Sequence, residues 1–316
     1  EDADVSASQK KAGGWPALGA GLKHITAQKN TATTLKTLLK VNQPDGFDCP
    51  GCAWPEPDDP SRFEFCENGI KAVAWEATGK RVTPDFFAKH TVTELREQTD
   101  YWLERQGRLT HPVRYNAETD KYEPVTWTQA FELVGQTLRS LDSPNRALFY
   151  TSGRTSNEAA FLYQLFVRRF GTNNLPDCSN MCHESSGVAL GQTIGVGKGS
   201  VSLADIGQAD VIVVVGQNPG TNHPRMLTAL EEAKRVGAAI VAVNPLAEAG
   251  LTRFKNPQKA RGLVGKGTAL ADVHLRVKVG TDLALFQWLN QRLTELDDER
   301  GGSVLDRAFL DQHCDG

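Results

Sequence analysis

The spacing of apolar residues changes at about residue 125, from short irregular runs to strands that alternate with helices. Residues 126–141 repeat apolar side chains at helical spacing. Asp210–Val215 and the stretch AAIVAVNP at 238–245 are continuous apolar runs of the kind that buried parallel strands need, and a helix is expected to begin near Pro224 between them. Strand, helix and strand fill about 33 residues, the size of one βαβ unit. The pattern predicts an α/β fold with a doubly wound, mostly parallel sheet.

Further elements are predicted on either side of that unit. Ala147–Tyr150 is expected to be a short buried strand. Thr155 and Glu158 have the spacing of a capping box, which predicts the start of a helix that ends at Gly171. Val273–Val277 should form a further strand.

The pattern before residue 125 is weaker. One helix near 31–41 is expected in an otherwise irregular lead-in, and residues 91–106 look like an amphipathic helix. The Asn68-Gly69 pair predicts a tight turn followed by a short strand. The predicted parts of the chain are an N-terminal extension (1–46), a small cysteine-containing unit (47–110) and the first part of an α/β domain (111–316).

Composition excludes several classes of protein. The formal net charge is −3 and no block of Lys or Arg occurs, so no nucleic-acid-binding surface is indicated. No stretch approaches the roughly 20 apolar residues that cross a bilayer. Six cysteines are too few for a disulfide scaffold, which favours metal or catalytic use in a reducing cytoplasm. We expect a cytoplasmic protein without a membrane span, and the absence of an initiator Met indicates residues before Glu1.

The first motif with chemical meaning is CPGCAWP at 49–55, which is followed by Cys66. Its spacing places Cys49 and Cys52 on one tight turn, close enough to bind one metal or one cluster edge. Prolines directly after the motif forbid the helix that a thioredoxin-like pair needs, and a zinc ribbon needs a second Cys-x-x-Cys. Two interpretations remain: an iron–sulfur cluster with Cys66 as a third ligand, or three incidental cysteines.

Two glycine-rich loops are candidates for binding a phosphate group. GQNPGTNHPRM at 216–226 follows a predicted parallel strand, where backbone N–H groups and a helix N-terminus attract anions. It is not the G-x-G-x-x-G fingerprint, so NAD binding is not supported. GQTIGVGKGS at 191–200 does not have the spacing of a P-loop. Ordinary connecting loops are the alternative for both.

The third motif is the adjacent pair Cys182 and His183 in SNMCHESSG at 179–187. A helix N-terminus favours the thiolate form of cysteine, which can act as a nucleophile or as a soft ligand for a transition metal. The neighbouring imidazole can accept a proton. A packed, inert thiol is the alternative, and Cys178 is a rival candidate.

Taken in this order, the motifs resemble the molybdopterin guanine dinucleotide oxidoreductases of the dimethyl sulfoxide reductase superfamily. From about residue 47, the cysteine motif is followed by RLTHPVRY, EPVTWTQAF, YTSGRTSNE, the Cys182-His183 pair, GQNPGTNHP, VNP and GTD. CSNMCHESS is similar to the formate dehydrogenase segment in which a Cys or selenocysteine binds molybdenum. Within the superfamily, the resemblance is therefore to the N-terminal portion of a formate dehydrogenase alpha subunit.

The resemblance implies two pterin guanine dinucleotides around one molybdenum or tungsten, together with one 4Fe–4S cluster. Cys182 would be the metal ligand and His183 the proton acceptor. Cys49, Cys52 and Cys66 would bind the cluster. Residues 47–110 would thus be an iron–sulfur cluster domain, and residues 111–316 the first part of an α/β molybdopterin dinucleotide-binding domain. The other implied cofactor-binding residues are Lys89, Arg154, Gly216, Asn218, Thr221, Asn222, Asn244, Gly280 and Asp282.

One position departs from the family pattern. Usual members have a fourth cluster cysteine two residues before a lysine, and here the residue two before Lys89 is Phe87. His90 is a candidate replacement ligand. An altered or absent cluster is the other interpretation.

The function implied by the resemblance is oxidation of formate to carbon dioxide, with electrons leaving through the cluster to an electron-acceptor subunit or redox protein. A second pterin-binding domain and an arginine that holds formate are expected beyond Gly316. Two alternatives remain: a molybdopterin oxidoreductase for another small substrate, and a non-catalytic fold homologue with a stress or partner role.

Overall fold

The computed structural model describes residues 11–52, 54–151, 155–176 and 182–314. Its helices in chain order are α1 (Gly14–Thr26), α2 (Thr31–Leu38), α3 (Glu67–Glu76), α4 (Pro84–Lys89), α5 (Val92–Arg96), α6 (Asp100–Glu104), α7 (Trp127–Arg139), α8 (Asn157–Phe170), α9 (Glu184–Ile194), α10 (Leu203–Gln208), α11 (Pro219–Asn222), α12 (Pro224–Val236), α13 (Ala249–Thr252), α14 (Ala260–Val264), α15 (Asp282–Glu299) and α16 (Arg307–His313). Its strands are β1 (Ala12–Gly13), β2 (Arg81–Val82), β3 (Arg108–Leu109), β4 (Val113–Asn116), β5 (Lys121–Pro124), β6 (Val211–Val215), β7 (Ala239–Val243), β8 (Phe254–Lys255) and β9 (Val273–Leu275).

The chain forms two compact units. One combines Glu1–Leu18 with Leu203–Gly316, and the other is Gly19–Ser202. The first eighteen residues group with the distant segment because β1 pairs in parallel with β8, with Ala12 opposite Phe254. The three-part division at 46/47 and 110/111 stays a prediction.

A three-stranded parallel sheet, in the order β6-β7-β9, is the centre of the unit that contains Leu203–Gly316. Val213 lies opposite Val241, which in turn lies opposite Val273. The predicted parallel pairing of the two apolar runs is confirmed, and so is the predicted strand at 273. The fold is mixed α/β, as predicted.

One face of this sheet is buried against α12 and α13. Because side chains alternate along a strand, every second residue of β6 and β7 points into the same apolar cluster. The buried members of the cluster are Val214, Leu227, Leu230, Ile240, Ala242, Leu251, Phe254 and Leu270. The same alternation leaves Val213 and Val273 about half exposed on the opposite face, at 52% and 45%.

Helix α12 joins β6 to β7 and starts and ends at residues suited to those positions. Pro224 occupies its first turn, where the missing N–H costs no hydrogen bond. Gly237 ends the helix in the left-handed conformation, with φ +112. The predicted start near Pro224 is confirmed.

Two small apolar cores lie in the described part of the unit Gly19–Ser202. The first joins α1, α2 and α3 through Ile25, Leu38, Val41 and Val73. The second consists of Val82, Phe87 and Leu95, with Phe86, Trp102, Val113 and Tyr122 packed against it. The predicted helices at 31–41 and 126–141 are present as α2 and α7.

The segment after Cys66 is a helix, so the predicted turn and short strand at Asn68-Gly69 are wrong. The Cys66 sulfur accepts a hydrogen bond from the Gly69 N–H and caps α3. Val73 and Ala74 are buried on this helix. Helical burial and the cap outweigh the local turn preference of Asn-Gly.

Three further expectations are corrected by the described residues. Residues 91–106 form the two short helices α5 and α6 rather than one, because Thr99 accepts a hydrogen bond from the Trp102 N–H and caps a new helix. The cap of α8 is Ser156 rather than Thr155. Ala147–Tyr150 is not assigned as a strand, although Phe149 is buried and its N–H donates to the Asn174 carbonyl.

The lead-in also contains a helix that the sequence pattern does not predict, α1, over Gly14–Thr26. Gly13 and Gly14 both have positive φ immediately before or at its start, which only glycine adopts easily. In the described residues, no helix has the length and apolar character needed to span a bilayer.

Glu231 on α12 should make the stability of this unit depend on pH. Its carboxylate accepts hydrogen bonds from Asn256, Thr268 and Lys259 at 3.0, 2.9 and 3.2 Å. Burial opposes ionisation, but these three donors hold the pKa of Glu231 below its usual value. The resulting stability is present above the unfolded pKa, near 4.5, and is lost as pH falls through the lower folded pKa.

Glu231→Gln should therefore lower the free energy of unfolding by about 1–2 kcal/mol at pH 7 and flatten its fall below pH 4.5. Urea unfolding followed by circular dichroism at several pH values measures both effects. Glu232→Gln is the matched control, since that neighbouring carboxylate is exposed and lies 3.5 Å from the Lys259 ammonium. Equal losses in the two variants would contradict the role given to Glu231.

Candidate functional site

The carboxyl ends of the three parallel strands are held together by main-chain hydrogen bonds. The Gly216 N–H donates to the Val243 carbonyl at 2.8 Å, and the Asn244 N–H donates to the Leu275 carbonyl at 3.0 Å. Gly216 has φ +65, so the chain leaves β6 in a conformation that glycine tolerates. This edge is where parallel α/β sheets usually bind ligands.

The side chain of Asn244 links the loops that follow β6 and β7. Its Nδ2 donates to the Gln217 carbonyl at 3.2 Å, and its Oδ1 accepts from the Leu246 N–H at 3.0 Å. Two residues proposed from the sequence, Gly216 and Asn244, are thus brought to one edge.

Asn218 caps the short helix α11 at the same edge. Its Oδ1 accepts from the Thr221 N–H at 3.3 Å, and its carbonyl accepts from the Asn222 N–H at 3.0 Å. Thr221 and Asn222 are exposed. The 216–222 loop therefore presents polar side chains on a main chain that is internally hydrogen-bonded.

A close approach of two glycines fixes α11 against α13. A Cβ at Gly220 would lie 3.2 Å from the Gly250 Cα, and a Cβ at Gly250 would lie 3.0 Å from the Gly220 Cα. Neither position has room for a side chain without a shift of the main chain. The sequence offers no signal for this pair beyond the presence of two glycines.

Gly280 and Asp282 follow the third strand of the sheet. Gly280 has φ +83, and Asp282 is the first residue of α15. No hydrogen bond or ion pair among the described residues joins either of them to Gly216 or Asn244. Their part in a cofactor site stays a prediction.

Cys182 and His183 lie at the start of α9, as the sequence predicts, and both are exposed. His183 occupies the N-cap position, and its carbonyl accepts from the Gly187 N–H at 2.8 Å. Its imidazole makes no capping hydrogen bond. The rival Cys178 and the proposed cofactor residue Arg154 lie outside the described residues.

Cys49 and Cys66 approach the same main-chain position, Gly69. The Cys66 sulfur accepts from the Gly69 N–H at 3.5 Å, and a Cβ at Gly69 would lie 3.1 Å from the Cys49 sulfur. The Cys49 sulfur also accepts from the Gly51 N–H at 3.4 Å. Gly69 is thus a positioning residue, although the sequence pattern predicts it as part of a turn.

Burial is the main cause that raises the pKa of Cys66, to about 11; N–H donors at Gly69 and Asn68 oppose the rise, and charge on Cys49 and Cys52 would add to it. All three thiols are half-buried and form no disulfide. The contacts of the described residues bring the Cys49 and Cys66 sulfurs together at Gly69.

In the part of the chain that the structure describes, no three His, Cys, Asp or Glu side chains converge closely enough to hold one metal ion. In an iron–sulfur cluster, the cysteine ligands are spread over several irons. Hydrogen bonds from N–H groups to the sulfurs are also features that tune such clusters.

The position of the usual fourth cysteine supplies no ligand. Phe87 is buried in an apolar core with Val82 and Leu95. Lys89 is exposed at the end of α4. The His90 ring contacts the Phe86 ring at a centroid distance of 4.8 Å and the Trp102 ring at 6.1 Å, and its Nδ1 lies 3.9 Å from the Glu94 carboxylate.

Asn42 positions the cysteine segment, and the sequence pattern does not single it out. Its Oδ1 accepts from the Cys49 N–H at 2.8 Å, and its Nδ2 donates to the Glu64 carbonyl at 2.6 Å. Asn42 is 2% exposed and has φ +55. Asparagine tolerates this left-handed conformation better than most residues, but no local motif marks the position.

Comparison with known proteins gives matches of different lengths. The family described as Molybdopterin oxidoreductase matches residues 108–298. An uncharacterized oxidoreductase of Mycobacterium tuberculosis is 55% identical over 99% of this chain and 40% of its own length. The alpha subunit of F420-dependent formate dehydrogenase 2 of Methanococcus maripaludis is 27% identical over 80% of this chain and 34% of its own length.

Among solved structures, acetylene hydratase from Pelobacter acetylenicus aligns with a TM-score of 0.40 and 19% identity, over 56% of this chain and 23% of that chain. The chain spans about two-fifths of the length of its mycobacterial relative and about one-third of the length of the formate dehydrogenase subunit.

Asn244→Ala should loosen the sheet edge. The Leu246 N–H loses its acceptor, so its hydrogen exchange should become about fivefold faster, which corresponds to ~1 kcal/mol for one hydrogen bond. Amide exchange followed by mass spectrometry or NMR measures this rate. Asn290→Ala, on the exposed surface of α15, is the matched control and should leave the rate unchanged. An unchanged rate in Asn244→Ala would show that the side chain does not hold the loop.

Proposed function

We propose a function from one premise: the chain belongs to the molybdopterin oxidoreductase family. The whole protein is proposed to be an enzyme that oxidises formate to carbon dioxide, releasing two electrons and one proton. The observation that carries the proposal is the family match over 108–298, because it includes both the Cys182-His183 pair and the sheet edge at Gly216 and Asn244.

Formate as substrate is supported by two observations. One curated relative carries the name of a formate dehydrogenase alpha subunit. The other is the exposure of Cys182 and His183 at the start of α9, which lets a small substrate reach both side chains.

The proposed cofactor is a pair of pterin guanine dinucleotides with molybdenum or tungsten, which would supply two-electron redox chemistry when bound. Cys182 would provide a thiolate ligand, and His183 would accept the proton at one of its ring nitrogens. The polar loop 216–222 and Asn244 would hold a dinucleotide, in line with the usual ligand position in parallel sheets. Lys89, Arg154, Gly280 and Asp282 are proposed as further contacts.

Cys49, Cys52 and Cys66 are proposed to hold an iron–sulfur cluster of the 4Fe–4S type, which would pass electrons one at a time. The approach of the Cys49 and Cys66 sulfurs to Gly69 and the N–H donors at Gly51 and Gly69 support this assignment. The proposed setting is a cytoplasmic protein with a doubly wound cofactor domain, an N-terminal cluster domain and a separate electron acceptor.

One observation favours a second candidate. Phe87 is an integral part of an apolar core, and it stands where the usual fourth cysteine would be. A family member with an altered cluster could act on a different small substrate, or could keep the fold in a non-catalytic stress or partner role.

The function is tested on the full-length protein prepared without oxygen. We expect molybdenum or tungsten with pterin by elemental analysis and mass spectrometry, and formate oxidation with an artificial electron acceptor. Loss of a residue that only hydrogen-bonds to a metal ligand costs roughly 10–100-fold. Cys182→Ser removes the proposed ligand itself and should therefore lower turnover by more than this. His183→Ala should slow turnover by about 100-fold or more and change its pH profile.

The outcomes separate the candidates. Metal and pterin without formate turnover would favour another substrate, and a protein that binds neither would favour the non-catalytic role. Wild-type turnover in Cys182→Ser would disprove the ligand assignment.

The cluster is tested by Cys49→Ser. The brown absorbance of the reconstituted protein should fall, while far-ultraviolet circular dichroism stays unchanged, because the half-buried thiol lies at the edge of its core. Cys314→Ser is the matched control, since this exposed cysteine is remote in sequence from the motif. Iron and sulfide contents equal to wild type in Cys49→Ser would rule out Cys49 as a ligand.

A further inference from the structure

A cavity of about 210 Å³ lies between α1, α3 and α6, within the unit Gly19–Ser202. Pockets for drug-sized ligands measure roughly 300–1,000 Å³, so this one suits a ligand of one ring with a few substituents. The lining residues that matter for recognition are Lys23, His24, Trp75, Tyr101, Glu104 and Arg105. None of them belongs to the sites described above.

Hydrogen bonds and one close main-chain approach fix the walls of the cavity. The Thr78 hydroxyl donates to the Gln28 side chain at 2.8 Å, and both residues are buried. The Gly79 N–H donates to the Gln28 carbonyl at 2.8 Å. Gly107 has φ +115, and a Cβ there would lie 2.5 Å from the Lys80 main chain. The ends of α1 and α3 and the approach to β3 therefore form a preorganised wall.

The cavity carries excess positive charge. Arg108 is neutralised by Glu76, at 2.6 Å. Among the described residues, neither Lys23 nor Arg105 has a carboxylate within ion-pair distance. Glu104 is the one carboxylate in the lining. Two cations are thus opposed by a single acid.

The same cations act on His24, which also lines the cavity. Burial is the largest cause of its lowered pKa, and the charges of Lys71, Lys23 and Arg105 add to the effect.

Aromatic rings form the apolar part of the site. The His24 and Trp75 rings meet edge to face at a centroid distance of 6.1 Å, and the Lys71 ammonium lies 4.5 Å from the Trp75 ring centre. The Arg105 guanidinium lies 5.3 Å from the Tyr101 ring and donates to the Tyr101 hydroxyl at 3.2 Å. One of its five N–H donors is used in that bond, and a planar fork remains for a carboxylate.

We propose that this cavity binds a small aromatic carboxylate, with its carboxylate on Arg105 and Lys23 and its ring against Trp75 and Tyr101. The size of the cavity limits the ligand to about one ring. A guanidinium fork recognises two carboxylate oxygens at once, and the rings favour a planar apolar body over an aliphatic one. The site is independent of the proposed redox function.

Benzoate is the probe, titrated into the full-length protein by isothermal calorimetry and by ligand-observed NMR. A ligand of this size is expected to bind with a Kd of about 1 mM or lower. Benzamide keeps the ring and lacks the charge, and cyclohexanecarboxylate keeps the charge and lacks the aromatic ring. Both should bind at least about fivefold more weakly than benzoate.

Two neighbouring substitutions should act in opposite directions. Arg105→Gln should raise the Kd for benzoate about tenfold, since it removes the charged fork. Glu104→Gln should lower the Kd about twofold or more, because it removes the one opposing carboxylate. Arg139→Gln, an exposed arginine on α7, is the matched control and should leave the Kd unchanged.

Three results would overturn the proposal. The first is no saturable binding of benzoate up to about 20 mM. The second is equal binding of benzamide and benzoate. The third is equal binding by Arg105→Gln and the wild type, with circular dichroism showing that both are folded.

Discussion

The side-chain amide of Asn42 is the hydrogen-bonding group on which the cysteine-bearing part of the molecule depends. It is almost fully buried, and it joins the Cys49 N–H to the Glu64 carbonyl. A buried amide without partners costs about 1–3 kcal/mol, so both segments must be in place when this core forms. Val41, directly before it, is buried in the core beneath, which fixes the position of the amide. The two cysteine segments, which lie apart in the sequence, are in this way held together by a protein side chain.

In the other unit, main-chain hydrogen bonds join the carboxyl ends of the three strands. The Gly216 N–H, after β6, donates to the Val243 carbonyl at the end of β7. The Asn244 N–H, after β7, donates to the Leu275 carbonyl at the end of β9. The Asn244 side chain then joins the two following loops, so the polar residues of 216–222 are presented on a frame that is already hydrogen-bonded. Preorganisation of this kind lowers the entropy that a ligand must overcome when it orders a loop.

The central sheet is predictable from the sequence because its strands are regular apolar runs. The small cysteine-containing region lacks such a pattern and is not predictable in this way. Val211–Val215 and Ala239–Val243 are recognisable because a buried parallel strand needs continuous apolar residues. The helix after Cys66 is not recognisable, since Asn68-Gly69 is a strong local turn signal and the opposing cap is a cysteine sulfur, which is rarely considered a helix cap. Asn42 and the Gly220–Gly250 contact depend on residues far apart in sequence, so no local pattern marks them. The adjacency of Cys182 to a helix start is predictable because it is local.

Phe87, which stands where the resemblance predicts a fourth cluster cysteine, is part of an apolar core. The Phe87 ring contacts the Tyr122 ring edge to face at a centroid distance of 5.5 Å, and Val82 and Leu95 complete its surroundings. Replacement of a buried Phe by a much smaller residue leaves a cavity and costs roughly 3–5 kcal/mol for the change to Ala, so a cysteine here would weaken the core. In the same region, the His90 ring packs against Phe86 and Trp102. A 4Fe–4S cluster held by Cys49, Cys52 and Cys66 would therefore have one iron whose ligand does not come from position 87. The ligand of that iron would make the reduction potential of the cluster differ from that of a cluster with four thiolates.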